Sequence, residues 1–495
     1  MDQQDEKTKR LPYSFAKTHG IIVTDGPDNT LTYLYYLDST PLTALAEAKR
    51  VLQIDMHLQK VTAGEFQQHL AKAYQSNASI LDAAEGMEED LDLLKLAGQL
   101  PSSEDLLDTQ DDAPIIRLIN ALFTQAIKQK ASDIHIETYE ERVLVRNRID
   151  GVLHEILEIQ RVIAPLVISR VKVMAKLDIA EKRIPQDGRI SLRIGGHNID
   201  VRVSTLPSNH GERIVLRILD QESAQLDLSI LGMPARILTP IQKMIAQPHG
   251  ILLVTGPTGS GKTTSLYAML TELNQVSRNI LTIEDPIEYD LPGIGQTQVN
   301  NKVDMTFAKG LRAILRQDPD VVMIGEIRDL ETAEIAIQAS LTGHLVLSTL
   351  HTNSALGALS RLHDMGVESF LLSSSIIGVL AQRLVRLLCH ECKKPHEITA
   401  DERDLMQITS QNAVNIYEPQ GCEQCNHQGY HGRTGIYELI VVDEQLRRMI
   451  HHNDTVQNME THVRPKNPSI RQDGFQRVLA GDTSISEILR VTSEL

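Results

Sequence analysis

The sequence predicts an α/β chain: a doubly wound parallel sheet in the C-terminal half, with a smaller α+β domain ahead of it. Three observations predict it. From about Gly232 onward, short apolar runs alternate with helical patterns, the runs being Ile251–Thr255, Ile280–Ile283, Val321–Ile324 and Leu345–Thr349. A glycine-rich loop, Gly256-Pro257-Thr258-Gly259-Ser260-Gly261-Lys262-Thr263, joins the first run to a pattern with Leu266, Met269, Leu270 and Leu273 on one helical face. Between residues 114 and 232 apolar and polar residues instead alternate around tight turns, the signature of strands paired as hairpins.

Taken in order, Met1 to Arg10 is polar and holds no apolar signal segment. Leu31 to Leu37 reads as a strand, and Pro41 to Leu52 and Ala63 to Tyr74 read as helices. No catalytic constellation falls there, so residues 1–90 are expected to form a small docking module. The stretch Asp82 to Asp112 holds eleven Asp or Glu against one Lys and contains Pro101-Ser102-Ser103. It reads as a solvated acidic linker, assigned to 91–113; a charged helix face is the alternative.

A helix is expected from Pro114 to about Lys130, with Ile115, Ile116, Ile119, Leu122, Phe123, Ala126 and Ile127 on its apolar face. Strands follow at Asp133–Glu137 and Val143–Ile149, the second ending at the turn Asp150-Gly151. Ile190, Leu192 and Ile194 alternate, Gly195-Gly196 turns, and Ile199, Val201 and Val203 alternate back. Residues 114–232 make the α+β domain and 233–495 the parallel-sheet domain. Phe370 to Gln382 lacks charge but is too short to span a bilayer, and contains Ser373, Ser374 and Ser375; a buried helix is expected.

Bulk properties narrow the class. A chain of 495 residues holds about three domains. Its net charge of −16, 3% aromatics and absence of Trp argue against a protein that coats nucleic acid or stacks bases. Four cysteines are too few for a disulfide framework at this size. The chain is expected to be cytoplasmic, with any membrane attachment made through a partner.

The loop carries the chemistry. Its glycines let backbone N–H groups turn inward around phosphates, and the following helix adds its positive end. Gly256, Pro257, Thr258, Gly259, Ser260, Gly261, Lys262, Thr263 and Thr264 are the candidate nucleotide-binding residues. Lys262 can reach the β- and γ-phosphates of a nucleoside triphosphate, and the Thr263 hydroxyl can ligate Mg²⁺. A chance match in a surface loop is the alternative, and the complete pattern with both flanks argues against it.

In a parallel sheet ligands sit past the carboxyl ends of the strands, so Glu284, Glu326 and His351 should share the phosphate side. Glu326 is the candidate for polarising the attacking water; an ordinary helix-capping glutamate is the alternative. Gly325 stands where an Asp is usual, so Mg²⁺ falls more heavily on Thr263, with Glu326 in an indirect shell. Glu284, with Asp285 and Glu288, could hold Mg²⁺ or its waters; a structural turn is the alternative for Asp285. His351 could sense the γ-phosphate or hold a water, or be structural. His344 is a second candidate sensor, although it precedes its strand and so starts on the far side, where packing or a subunit contact is the alternative. Arg312 and Arg316, spaced i, i+4 on one expected helix, and Arg328 are candidate arginine fingers. Arg202 lies on the polar face of its strand and Arg217 sits between Leu216 and Ile218. A solvated strand face and a phosphate-facing surface both remain open for these two.

Cys389-His390-Glu391-Cys392 and Cys422-Glu423-Gln424-Cys425 use all four cysteines as two C-x-x-C pairs. Two such knuckles complete a closed tetrahedral thiolate site, so residues 386–428 are expected to hold structural Zn²⁺. A redox pair or an iron–sulfur site is the alternative.

The loop, the box Ile283-Glu284-Asp285-Pro286-Ile287-Glu288, the run Asp318 to Asp329 and the segment Thr342 to Asn353 occur in the order of a known family. Together they resemble the secretion ATPase superfamily of type II secretion and type IV pilus systems. The cysteine module, Ala131-Ser132-Asp133-Ile134-His135-Ile136-Glu137 and Arg148-Ile149-Asp150-Gly151 narrow the resemblance to the type II secretion ATPases. It covers nearly all of 114–495 and is weak over 1–90. It implies a RecA-like P-loop motor domain, a homo-hexameric ring, and ATP bound between the α+β and motor domains, which would turn Arg202 and Arg217 toward phosphate. It implies that Glu326 is the catalytic glutamate and that Gly325 is normal for the family. It also implies docking of the N-terminal module on an inner-membrane platform protein, and ATP hydrolysis that drives pseudopilus growth and protein export. A type IV pilus assembly ATPase shares these motifs. A nucleic-acid translocase on the same fold is the alternative from another class.

Overall fold

The computed structural model describes residues 19–25, 32–38, 40–52, 56–62, 65–66, 113–194, 197–220, 227–410 and 412–493. The polar start of the chain and the acidic stretch 82–112 lie outside the described residues, as does nearly all of the helix expected over 63–74. The chain divides into two compact units, Met1–Ala224 and Gln225–Leu495.

At the start of the first unit, β1 (Ile21–Asp25) pairs antiparallel with β2 (Thr32–Tyr36), which pairs parallel with β3 (Met56–Lys60). Helix α1 (Leu42–Leu52) joins β2 to β3 and buries Ala44, Ala48 and Leu52 against Ile21, Val23 and Leu34. Those three helical residues recur every four positions, one stripe of an amphipathic helix.

The α+β domain follows. Helix α2 (Ala113–Lys128) leads into β4 (Asp133–Thr138), β5 (Arg142–Ile149) and β6 (Val152–Gln160). Helix α3 (Ala164–Met174) then precedes β7 (Gln186–Ile194), β8 (His197–Ser208) and β9 (Gly211–Asp220). The six strands form one antiparallel sheet in the order β6-β5-β4-β9-β8-β7. Ile134, Val145, Val201, Val203, Ile214 and Leu216 face α2 and α3 and form the core with Leu118, Phe123 and Val171. Since side chains alternate along a strand, the polar set on these strands lies on the other face.

The second unit opens with α4 (Ala235–Ile245) and then alternates strand and helix. In order come β10 (Gly250–Thr255), α5 (Lys262–Leu273), β11 (Ile280–Glu284), β12 (Gly295–Gln298) and α6 (Phe307–Ile314). They are followed by β13 (Val321–Ile324), α7 (Leu330–Leu341), β14 (Leu345–Leu350), α8 (Ala355–Asp364), α9 (Ser369–Ser375) and β15 (Ile376–Leu388). The sheet runs β12-β11-β13-β14-β10-β15-β18, parallel except for β18 (Tyr430–Val441), which pairs antiparallel with β15. It is doubly wound, as expected. Leu252, Val254, Met323 and Leu347 pack on α4 and α5 on one face, while Leu253, Val322, Ile324 and Val346 pack on α7 and α8 on the other.

One expectation is corrected here. Phe370 to Gln382 is not a buried helix: α9 ends at Ser375, and β15 begins at Ile376. Buried between β10 and β18 and covered on both faces, β15 shows no polar–apolar alternation, so its run is indistinguishable from a buried helix by periodicity.

β16 (Lys394–Glu397) and β17 (Asn415–Glu418) form a small hairpin-like pair beside α10 (Ala400–Leu405). The chain closes with α11 (Glu444–His451), α12 (Val456–Val463), α13 (Ile470–Leu479) and α14 (Ile485–Thr492). Val385 and Ile436 of the long β15–β18 ribbon, with Ile398, Ile416, Phe475 and Ile488, form a separate small core there.

Candidate nucleotide site and four-cysteine module

Four parallel strands end level with one another. Register sets Thr255 of β10 beside Leu350 of β14, Ser348 of β14 beside Ile324 of β13, and Ile324 beside Ile283 of β11. The residues after each strand therefore leave along one carboxyl edge. Hydrogen bonds stitch that edge: Thr255 Oγ1 donates to the Leu350 carbonyl at 3.1 Å, and Thr349 Oγ1 to the Gly325 carbonyl at 2.7 Å. The Gly325 N–H donates to the Ile283 carbonyl at 2.8 Å.

The glycine-rich loop lies at this edge, between β10 and α5. Gly261 caps α5 with φ at 84°, a left-handed conformation that favours glycine. At Gly256 a Cβ would come within 2.4 Å of the Gln382 carbonyl oxygen, so only glycine lets β15 approach. The Gln382 side chain accepts from Ser265 Oγ at 2.6 Å and braces the first turn of α5. Gln382 escaped sequence reasoning; its one signal was a polar residue closing an uncharged apolar run.

Lys262 is 8% exposed, and its ammonium donates to the carbonyls of Gly256 at 2.8 Å and Pro257 at 3.1 Å. Burial pushes it down to about 8, against the opposing pull of the Glu326 carboxylate. Thr263 is exposed and Thr264 half-buried in the first turn of α5. The Ser260 hydroxyl is buried without a hydrogen-bond partner among the described residues. An orphaned hydroxyl in this glycine-rich loop fits a loop that closes on phosphate oxygens.

The structure brings Glu326 and His351 together, as their strand ends imply. One Glu326 oxygen is bound by Arg328 and the other meets His351 Nε2 at 3.2 Å. Glu284 is placed differently. It is 3% exposed, and its oxygens accept from Tyr267 of α5, from Thr282 Oγ1 at 2.5 Å and from Gln296 Nε2 at 3.0 Å. Its lone pairs are occupied by hydroxyl and amide donors, so it braces α5 against β11 instead of offering a bare carboxylate. Asp285 is exposed beside it and adds negative charge near Arg328.

The arginines and the second histidine separate. Helix α6 ends at Ile314, so Arg316 lies past the helix and not on a shared face with Arg312, a correction to the i, i+4 expectation. Arg316 instead donates to the Arg312 carbonyl at 2.8 Å, and Arg312 pairs with Glu331 at 2.7 Å. His344 stands at the amino end of β14, where Nδ1 lies 2.8 Å from the Ala339 carbonyl at the end of α7. Arg202 and Arg217 belong to the first unit, opposite one another on β8 and β9 on the sheet face away from the core.

The four cysteines converge where β15 ends and β18 begins. Cys389 and Cys422 lie 3.8 Å apart at sulfur, Cys392 and Cys425 3.8 Å, and Cys422 and Cys425 3.7 Å. All four are free thiols. Burial acts to raise the Cys425 thiol, yet N–H donors from Cys422 and Gly429, each at 3.2 Å, bring it down to about 6.

A family model described as type II/IV secretion system protein matches residues 108–490. The chain belongs to that family. A second model, for a domain of GSPII protein E, matches residues 10–74 of this secretion system protein. Its relatives include the type II secretion system ATPase E of Vibrio cholerae, 56% identical over 99% of this chain and 98% of that one. The type II secretion system protein E of Pseudomonas aeruginosa is 58% identical over 98% of this chain and 97% of that one. Among solved structures, the pilus retraction motor PilT with bound ADP is 27% identical, covers 75% of this chain and 95% of its own, and superposes with a TM-score of 0.51. Among its described residues this family member has no helix long and apolar enough to cross a membrane.

The donor set of this secretion-family chain fits zinc. Four thiolates about 2.3 Å from one ion stand about 3.8 Å from each other, which is the spacing of these sulfurs. Backbone donors at sulfur favour the thiolate form that the metal needs. Cys389→Ser is expected to lose bound zinc and lower the melting temperature by about 4 °C or more. Elemental analysis of the wild-type chain with no zinc would assign the thiols to other chemistry.

Proposed function

We propose that the chain is the ATP-hydrolysing motor of a type II secretion system. The observation that carries this reading is the meeting of Lys262, the amino end of α5 and Glu326 at one edge of a parallel sheet. Residues 256–264 cradle the triphosphate with backbone N–H groups, and Lys262 leaves its loop carbonyls for the β- and γ-phosphates. Glu326 orients and deprotonates the attacking water, with Arg328 and His351 setting its rotamer. Mg²⁺, held through the Thr263 hydroxyl, neutralises charge on the phosphates when bound. Glu284 supports this edge from behind, through Tyr267.

The division into a docking module (1–90), an acidic linker (91–113), an α+β domain (114–232) and a motor domain (233–495) belongs to the same proposal. Arg202 and Arg217 of the α+β domain bind nucleotide phosphate, and the working unit is a homo-hexamer. The N-terminal module docks on an inner-membrane platform protein and holds the motor peripherally at that membrane. Zinc at Cys389, Cys392, Cys422 and Cys425 is structural.

Steady-state phosphate release by the full chain, with and without Mg²⁺ and across protein concentration, tests the reading. Turnover that depends on Mg²⁺ and rises with assembly supports it; none under any condition overturns it. Binding of residues 1–112 to the cytoplasmic part of a type II platform protein, compared with its pilus counterpart, tests the partner.

The titration of Lys262 adds a pH signature. The buried ammonium is charged below about pH 8 and neutral above it. Triphosphate binding above that pH must take up a proton, so affinity should fall between pH 7 and 9, by up to about tenfold per unit beyond the midpoint. A fluorescent ATP analogue titrated across this range measures it, and a flat profile would contradict the buried-lysine picture.

A further inference from the structure

Residues 393–421 join the two cysteine knuckles. β16 begins two residues after Cys392, and β17 ends four residues before Cys422. The thiols thus close the base of this segment. Within it, β16, β17 and the short helix α10 bring a second set of metal-ligating side chains together. His396, Glu402 and Glu418 each offer one ligand atom, and these atoms all lie within 4.8 Å of one another.

The imidazole and the first carboxylate are held in place. Nδ1 of His396 is buried with no hydrogen-bond partner among the described residues, so Nε2 is the nitrogen that meets other groups. It stands 3.1 Å from Oε1 of Glu402. The other Glu402 oxygen, Oε2, accepts from the Thr399 N–H at 2.8 Å and from Thr399 Oγ1 at 2.9 Å. That bonding caps α10 and leaves Oε1 turned to the imidazole.

Glu418 is placed against its own charge. It stands opposite Lys394 across the strand pair, a position where opposite charges attract. No ion pair joins the two among the described residues, and the exposed Glu418 carboxylate lies beside that of Glu402 instead. Two carboxylates so close repel one another. An imidazolium offsets one of the two charges; a divalent cation offsets both. Ligand atoms about 2.1 Å from one ion stand about 3.0 to 3.4 Å apart across octahedral or tetrahedral angles. The separation of Nε2 and Oε1 falls in that range, and the Glu418 side chain reaches the same point by rotation.

We propose that His396, Glu402 and Glu418 form a second metal site, separate from the thiols, for a divalent first-row transition ion. One imidazole nitrogen with two carboxylate oxygens suits Zn²⁺ or a neighbouring ion of that row. Three protein ligands leave a position for water. The ion ties β16, α10 and β17 to one point and so fastens the body of a segment that the thiols close at its base. All three ligands belong to the second unit, and the site stands whether or not the chain hydrolyses ATP.

Zinc titrated into the full chain, already loaded at its thiols, tests this. One further equivalent should bind. Glu418→Gln, an exposed and near-isosteric change, should weaken that equivalent about tenfold or more, and His396→Ala should abolish it, with the thiol-bound ion retained. Co²⁺ at this set should absorb without thiolate charge transfer, which separates it from the cysteine site. Amide exchange gives an independent readout. With free zinc about a hundredfold above its Kd, exchange of the β16–β17 amides should slow about a hundredfold in the wild type and not at the same zinc in His396→Ala. No further equivalent overturns the proposal. So does one that both variants leave unchanged, which is adventitious binding elsewhere on the chain. If His396→Ala fails to fold, Glu418→Gln decides by its affinity alone. A chain whose thiols take no zinc leaves the test intact, because the Co²⁺ signal and the two variants report the histidine site only.

Discussion

Lys262→Ala should reduce ATP turnover by about a hundredfold to a thousandfold while the chain stays folded. The side chain begins α5 and reaches back over its own loop, with the ammonium on the Gly256 and Pro257 carbonyls. The ammonium's contacts are two backbone carbonyls, so the loss of turnover should be chiefly electrostatic. Removing a buried cation would relieve its desolvation cost, and the melting temperature should hold or rise slightly. Steady-state phosphate release and a thermal melt read the two effects separately. A near-normal rate would remove the loop from the chemistry; a collapsed melt would show that Lys262 holds the loop together and would leave the kinetic loss without meaning.

Glu326→Gln should separate binding from hydrolysis. Glutamine keeps the size of the side chain and an acceptor for Arg328, but it cannot take a proton from water. The expected outcome is nucleotide affinity within a few-fold of wild type and a fall in kcat of about 10²–10⁴. The change also removes the carboxylate that opposes burial at Lys262, so the lysine should titrate lower still and the pH midpoint for binding should move down. Equal loss of binding and turnover would give Glu326 a structural role. Unchanged turnover would pass the water-activating part to another group at the same edge, and Asp285 is the exposed carboxylate there.

The parts of this site that were legible in the sequence are those encoded by contiguous residues. The glycine spacing, the lysine and threonine after it, and the short apolar runs before Glu326 and His351 each lie within one segment. Parallel pairing then puts their ends together by topology alone. Legibility failed where partners come from distant segments. Tyr267 and Gln296 occupy Glu284 from 17 and 12 residues away. Gln382 reaches Ser265 across 117 residues, and Asp133 meets Arg217 across 84. No local pattern marks such pairs. Helix ends were the other weak point: Arg316 satisfies a helical spacing from Arg312, but α6 stops at Ile314 and the spacing carries no meaning beyond it.

By itself the sequence determined which chemistry the chain carries: a phosphate loop, an acidic group at a strand end, and four thiols in two knuckles. Each needs only its own short segment to be recognised, because backbone conformation and ligand spacing are local properties. Tertiary structure alone decided what each group is free to do. Glu284 is held by three donors, Glu326 lies between Arg328 and His351, and Arg217 is held through Nε by Asp133. The physical reason is that charge and hydrogen-bond capacity depend on burial and on what fills the last few ångströms around a group, and those neighbours are brought there by the packing of the whole sheet.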